Sequence, residues 1–184
     1  FIGSWNLSTA MSMFVPNEVV LPFLEATGYP FVAFTALSFF LFAFSHYTEK
    51  DHIGIKVTGP LLVIPVLTTI FSLLYPFTGF FLTFTGKTLY IPYRQPETIY
   101  GTWFYIHSYY SYALVLIGSA LLLIKSLQKA TRNRFMYILM AIISVTYCVQ
   151  NVLATFTSGF NAMFSTRILH FLLLNIFFWT TFLD

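Results

Sequence analysis

Residues 103–124 read WFYIHSYYSYALVLIGSALLLI, and the ten that follow, 125–134, read KSLQKATRNR. The first stretch holds no Asp, Glu, Lys or Arg and is long enough to cross a hydrocarbon core, which takes about 20 mostly apolar residues in a helix. The second sets Lys125, Lys129, Arg132 and Arg134 directly behind it. An apolar span that stops at a basic turn is the pattern of a membrane-crossing helix whose basic end stays in the cytoplasm.

Reading outward from this stretch, further apolar segments of spanning length run from Pro30 to Tyr47, Val57 to Tyr75 and Phe135 to Phe156, and a fifth from Phe164 to Leu183. Trp5 to Phe14 is apolar but too short to span, and Pro16 with Asn17 breaks it, so it reads as the truncated end of an earlier helix. Backbone polar groups inside lipid must be satisfied within the segment, and these runs are too long and too continuously apolar for tilted barrel strands. The expected fold class is therefore an all-α membrane protein. It is a polytopic transmembrane helical bundle of five full spans plus a truncated N-terminal helix, in one domain over residues 1–184.

Composition agrees. With 58% hydrophobic and 8% charged residues and a mean hydropathy of +0.78, the chain has too little charge to cover a water-soluble globule. The net charge of +3 is small and gathered in loops, which excludes nucleic acid as a partner. The lone Cys148 lies within an apolar run, so no disulfide framework or paired zinc ligands are expected, and it reads as a small packing residue. The sequence opens on Phe1 and stops at Asp184 after an apolar run, as a fragment would, and its start lacks the pattern of a signal peptide.

Loop cations set the orientation. Lys50, Lys56, Lys125, Lys129, Arg132 and Arg134 fall on one side and Lys87, Arg94 and Arg167 on the other, a six-to-three asymmetry that puts the short loops and the C-terminus in the cytoplasm of a plasma-membrane protein. Lys125, Lys129, Arg132 and Arg134 are the expected topology determinants. Outside lies the long connection from Pro76 to Thr102, in which FLTFTGKTLYIPYR suggests a small hairpin turning at Thr-Gly-Lys. It is either a functional loop or an aromatic cap at the interface. Pro60 is expected in the harmless first turn of its span and Pro65 inside it, as a static kink or a hinge.

Polar groups within spans are the informative ones, because each is costly in lipid without a partner. His107, Gln150 with Asn151, and His170 come from three different spans at a similar depth near the outer end. Tyr110 follows His107 by three positions and Tyr147 precedes Asn151 by four, so each tyrosine shares a helical face with its polar neighbour. The six residues make a candidate ligand-binding or signal layer. The alternative is a hydrogen-bond network that only holds the bundle together, at about 0.6 kcal/mol per contact.

No catalytic motif is present: no H-E-x-x-H, no Gly-x-Ser-x-Gly, no phosphate loop and no carboxylate inside the expected full spans. His46, Glu49, Asp51 and His52 cluster in a short turn where solvated polar residues are ordinary, so no metal site is expected there, nor between His107 and His170. The chain is not expected to be an enzyme, and no cofactor is expected.

From Phe40 to Phe156 the order of features resembles the N-terminal seven-helix sensor region of bacterial histidine kinases. The stretches that carry it are FLFAFSHYTEK, PLLVIPVLTTIFSLLYPF, GTWFYIHSYYSYALVLIGSALLL and, after the basic turn, RFMYILMAIISVTYCVQNVL, with Ile106, His107, Tyr109 and Tyr112 in the most specific part. The resemblance implies that the five spans are the third to seventh helices of that region, with Trp5 to Phe14 left from the second. It further implies the sensory input domain of a two-component signalling protein, passing an outer-face signal to a cytoplasmic kinase that lies outside this chain. Expected partners are the lipid bilayer, an undefined small-molecule, lipid or peptide signal, and, as an open alternative, a second copy of the parent. The competing readings are a small transporter or membrane-complex subunit, and an intramembrane enzyme; midplane ligands and repeated halves, which a transporter would show, are not visible.

Overall fold

A computed structural model describes residues 20–90, 94–128 and 134–157, with backbone alone at 21, 86–90, 94–97 and 153–157. Its elements in chain order are α1 (Val20–Thr48), α2 (Ile55–Leu73), β1 (Leu82–Tyr90), β2 (Arg94–Tyr100), α3 (Thr102–Ser126) and α4 (Arg134–Thr157). All four helices are long and apolar enough to cross a membrane. The expected span at 164–183 and the truncated helix at Trp5 to Phe14 lie outside the described residues.

Three helices keep close to their expected limits, but α1 begins ten residues before Pro30. The proline is accommodated inside the helix, and the extension brings Glu25 into α1, where a spanning segment free of carboxylates was expected. Pro60 is the sixth residue of α2 and so lies in its second turn. The carbonyl it deprives of an N–H belongs to exposed Lys56.

The helices bury several polar side chains and expose large apolar ones, an arrangement that suits lipid and not water. On α2 the buried residues are Pro65, Thr68 and Ser72, whereas Val63, Val66, Ile70 and Leu73 are exposed. On α3, His107, Ser111, Ser119 and Lys125 are buried while Ile106, Tyr109, Leu116, Ile117 and Ile124 are exposed. Helix α1 turns Ala26, Ala33, Ala36 and Ala43 inward, small side chains that let helices approach closely. Gly118 of α3 serves the same end, since a Cβ there would stand 2.9 Å from the Phe39 ring.

The expected hairpin exists as an antiparallel pair, β1 with β2, in the register Leu82 to Tyr100 and Tyr90 to Arg94. The Thr-Gly-Lys triplet is not its turn. It lies within β1 at a register irregularity between Phe84 and Thr88, and the strands are joined through 91–93. A glycine in a strand marks a bulge as readily as a turn. Two strands alone are marginal, and this pair is anchored at its base by fully buried Phe81 and Leu82.

Gly101 welds the hairpin to α3. Its N–H bonds the Phe81 carbonyl at 2.8 Å and the N–H of Trp103 bonds the Phe80 carbonyl at 3.1 Å, which satisfies free amides at the start of the helix. A Cβ on Gly101 would meet the Phe80 carbonyl oxygen at 2.3 Å, so no other residue fits.

Contacts divide the chain into two compact units. Of the described residues, the first takes 20–36 together with those of Lys56–Ser111, and the second takes Leu37–Ile55 and those of 112–157. The first has a core of Ala26, Phe81, Leu82, Trp103 and Phe104. In the second, Ala43, Leu122, Tyr137, Met140 and Ala141 pack together. Helices α1 and α3 contribute a segment to each.

Candidate functional site

In the first unit His107 is 2% exposed, and its Nδ1 has no hydrogen-bond partner. The ring stands edge-on to Tyr29 and Phe81, with centroids 6.0 and 6.1 Å away. Tyr29 also meets Phe81 and Phe104 edge to face at 5.4 and 5.6 Å. A hydrogen bond joins Tyr29 to Tyr100, and the charge of Glu25 acts on the same phenol. Burial is the main reason the Tyr100 hydroxyl is pushed above its ordinary range, with Glu25 adding to the shift and the Tyr29 bond opposing it. Glu25, Tyr29, Tyr100 and His107 thus form an interrupted polar row through an aromatic core, and only His107 was foreseen from sequence. Glu25 and Tyr29 were missed because the helix was started at Pro30.

Tyr110 has a defined occupation. Pro65 has no N–H, so the carbonyl four residues earlier, Leu61, loses its helical donor. The Tyr110 hydroxyl donates to that carbonyl at 2.6 Å. The pattern repeats at Pro30, whose missing N–H frees the Ala26 carbonyl, and there the fully buried Ser72 hydroxyl supplies the bond from α2. A buried carbonyl left without a donor costs about 1–3 kcal/mol, so each hydroxyl repairs a defect that a proline creates. Trp103 adds a third tie between these helices, its indole N–H donating to Thr68 Oγ1 at 3.1 Å.

In the second unit, Tyr112 of α3 donates to Asn151 Oδ1 at 3.1 Å, and Asn151 Nδ2 donates to the Tyr147 hydroxyl at 3.1 Å. Asn151 therefore binds α3 through its amide oxygen, while its amide nitrogen bonds one turn back along α4 to Tyr147. Gln150, beside it, keeps a buried Oε1 without a partner. His107 and Tyr110 belong to the first unit, whereas Tyr147, Gln150 and Asn151 belong to the second. His170 lies outside the described residues.

The second unit also contains a polar group that sequence reading took for a solvated turn. His46 Nδ1 lies 3.0 Å from the Tyr137 hydroxyl, with Phe42 edge-on to the imidazole at 4.3 Å. The Lys125 ammonium donates to Glu49. Lys125, expected as a topology charge, is largely buried and paired, while Glu49 is exposed. A hydrogen bond from Lys125, reinforced by its charge, holds the Glu49 carboxyl below its ordinary value. Glu49 adopts φ 55°, and the N–H of Lys50 reaches back to the Ser45 carbonyl at 3.2 Å, a left-handed helix end that usually takes glycine. The pair joins the C-terminal ends of α1 and α3. Lys129 and Arg132 are not described, and Arg134 opens α4. No group of three metal-ligating side chains occurs among the described residues.

Comparison with known families decides the broader assignment. Residues 1–184 match the family model described as the N-terminal 7TM region of histidine kinase. The chain belongs to this family. No curated protein and no solved structure matches it. Membership agrees with four described helices that are long and apolar enough to cross a membrane, and makes the chain a multi-pass membrane region of sensor type. The family model describes the membrane region and not the kinase domain.

Proposed function

We propose that this chain is the sensory input of a two-component signalling protein. In this reading it receives a signal at the hairpin face, outside the cell, and passes it through α1 and α3 to a histidine kinase joined to a cytoplasmic C-terminus. The family match over residues 1–184 is the observation that carries the reading. Loop charge supports the orientation, and the Lys125 to Glu49 pair supports its premise that the two short connections lie together.

Among the candidate ligand-contact residues, His107 and Gln150 keep buried polar atoms without partners, and they are the groups proposed to respond to a small-molecule, lipid or peptide signal. Tyr110 and Asn151 are proposed to transmit because their polar atoms bind neighbouring helices, and Tyr147 with them because its hydroxyl holds the Asn151 amide. His170 remains a proposed member of the signal layer. A ligand or lipid perturbation would act by favouring one of two helix packings.

The test uses the chain joined to a histidine kinase output in lipid nanodiscs. His107→Ala and Gln150→Ala should change autophosphorylation severalfold while leaving insertion yield and thermal stability near wild type. Loss of stability with unchanged autophosphorylation would make these residues bundle contacts only. Orientation is tested separately with cysteines at Gly86 and Gln128 in a Cys148→Ser background. Gly86 should react with an impermeant thiol reagent in intact cells and Gln128 should not; the reverse pattern inverts the topology.

A further inference from the structure

We infer that Pro30 and Pro65 are hinges whose freed carbonyls are held by two releasable catches, the hydroxyl of Ser72 on Ala26 and the hydroxyl of Tyr110 on Leu61. Prolines in spanning helices are tolerated when another group satisfies the carbonyl they release. Here the satisfying group in both cases sits on a different helix. A carbonyl bonded within its own helix cannot let go without unwinding. One bonded to a side chain from a neighbour can let go when that neighbour shifts or its side chain turns.

All six residues lie in the first unit, and both catches involve α2. Through Ser72 it donates to α1, and through Leu61 it accepts from α3. The two attachment points are eleven residues apart on α2, about three turns, with Pro65 between them. Each proline is thus paired with a contact from another helix at the carbonyl it frees. Tyr110 also follows His107 by one turn on the same helix, so a rearrangement at the buried imidazole is transmitted along α3 to the catch. As a signalling device the catch rests on the sensory reading above; as a property of the bundle it does not.

The experiment measures the bend of α2 itself. Spin labels replace the exposed residues Val57 and Leu73, which straddle Pro65, in the full 184-residue chain with Cys148→Ser, in lipid nanodiscs. A straight helix separates these positions by about 24 Å along its axis. Tyr110→Phe should broaden or split the distance distribution, because the bend loses its restraint. Pro65→Ala, which restores the N–H for Leu61, should give one narrow, longer distance, and in that background Tyr110→Phe should change nothing. A wild-type distribution in Tyr110→Phe overturns the inference, as does an equal effect of Tyr110→Phe with Ala at position 65. If Tyr110→Phe does not insert, Pro65→Ala alone decides: a narrower distribution than wild type supports the hinge, and the same width overturns it. Joined to a kinase output, Tyr110→Phe should shift basal autophosphorylation at least twofold and Pro65→Ala should cancel the shift. Altered distances with unaltered autophosphorylation would leave the hinge standing and remove its use in signalling.

Discussion

In the first unit the bonds of Ser72 and Tyr110 end on main-chain carbonyls, whereas in the second Tyr137 meets His46, Lys125 meets Glu49 and Tyr112 meets Asn151, side chain to side chain. A carbonyl fixed in a helix cannot turn to another partner when its donor is removed. A side-chain acceptor can rotate away and be met elsewhere. Substitutions should therefore be felt more strongly in the first unit, and the second should be the more responsive to pH and salt.

The largest effect is expected at Gly101. The clash of a Cβ with the Phe80 carbonyl is backbone against backbone and cannot be relieved by a rotamer. Gly101→Ala should prevent correct folding or destabilise by about 3 kcal/mol, the upper end for overpacking. Thermal unfolding in detergent checks this, with Gly59→Ala as control, because no atom lies within 4 Å of a Cβ built there. Equal melting temperatures for the two variants would mean that the hairpin base yields.

Ser72→Ala comes next, at about 2 kcal/mol, since it leaves the Ala26 carbonyl buried without a donor. In a Pro30→Ala background the helix supplies its own N–H, and the same substitution should have an effect below about 0.5 kcal/mol. A full double-mutant cycle read by thermal stability gives the coupling. Additive effects would break the contrast between the two units.

The spans were legible because lipid imposes a coarse rule: four apolar runs became four helices with ends within a few residues of those expected, save at α1. That helix was misjudged because proline normally argues for a helix start or break, and the hydroxyl that rescues Pro30 sits 42 residues further on, at Ser72. The same long-range repair explains Tyr110, whose spacing from His107 suggested a binding face while its hydroxyl serves a carbonyl on α2. Local sequence cannot show which distant hydroxyl meets which freed carbonyl. The Lys125 to Glu49 pair was hidden for a related reason. Its two ends lie 76 positions apart, and each alone reads as an ordinary loop charge.

A moderate effect is expected at Asn151, whose amide joins Tyr112 to Tyr147. Asn151→Ala should lower stability by about 1 kcal/mol, within the range up to about 1.7 kcal/mol found for polar contacts between spanning helices. Tyr112→Phe removes one of the two bonds and should give about half of that. A loss at Asn151 as large as that at Ser72 would show that side-chain networks in the second unit are as rigid as carbonyl bonds in the first.

The smallest effect, and the one most specific to the second unit, concerns Glu49. Its carboxyl is held below the ordinary value of 4.5 by Lys125, so the folded state favours the charged form. A group depressed in this way contributes stability that is fully present above its unfolded value and lost as pH falls through its folded value. The melting-temperature gap between wild type and Glu49→Gln should therefore be constant from neutral pH down to about 4.5, then close at lower pH as both side chains become neutral. Exposure of Glu49 keeps the gap small, and 1 M salt should shrink it further. Glu49→Gly separates the charge from the backbone. It loses the same pair but relieves a left-handed residue, a gain of about 1 kcal/mol, so it should melt above Glu49→Gln at every pH. A gap that stays open at pH 3, or a glycine variant that melts below the glutamine one, would show that neither the ion pair nor the left-handed backbone sets the stability of this helix end.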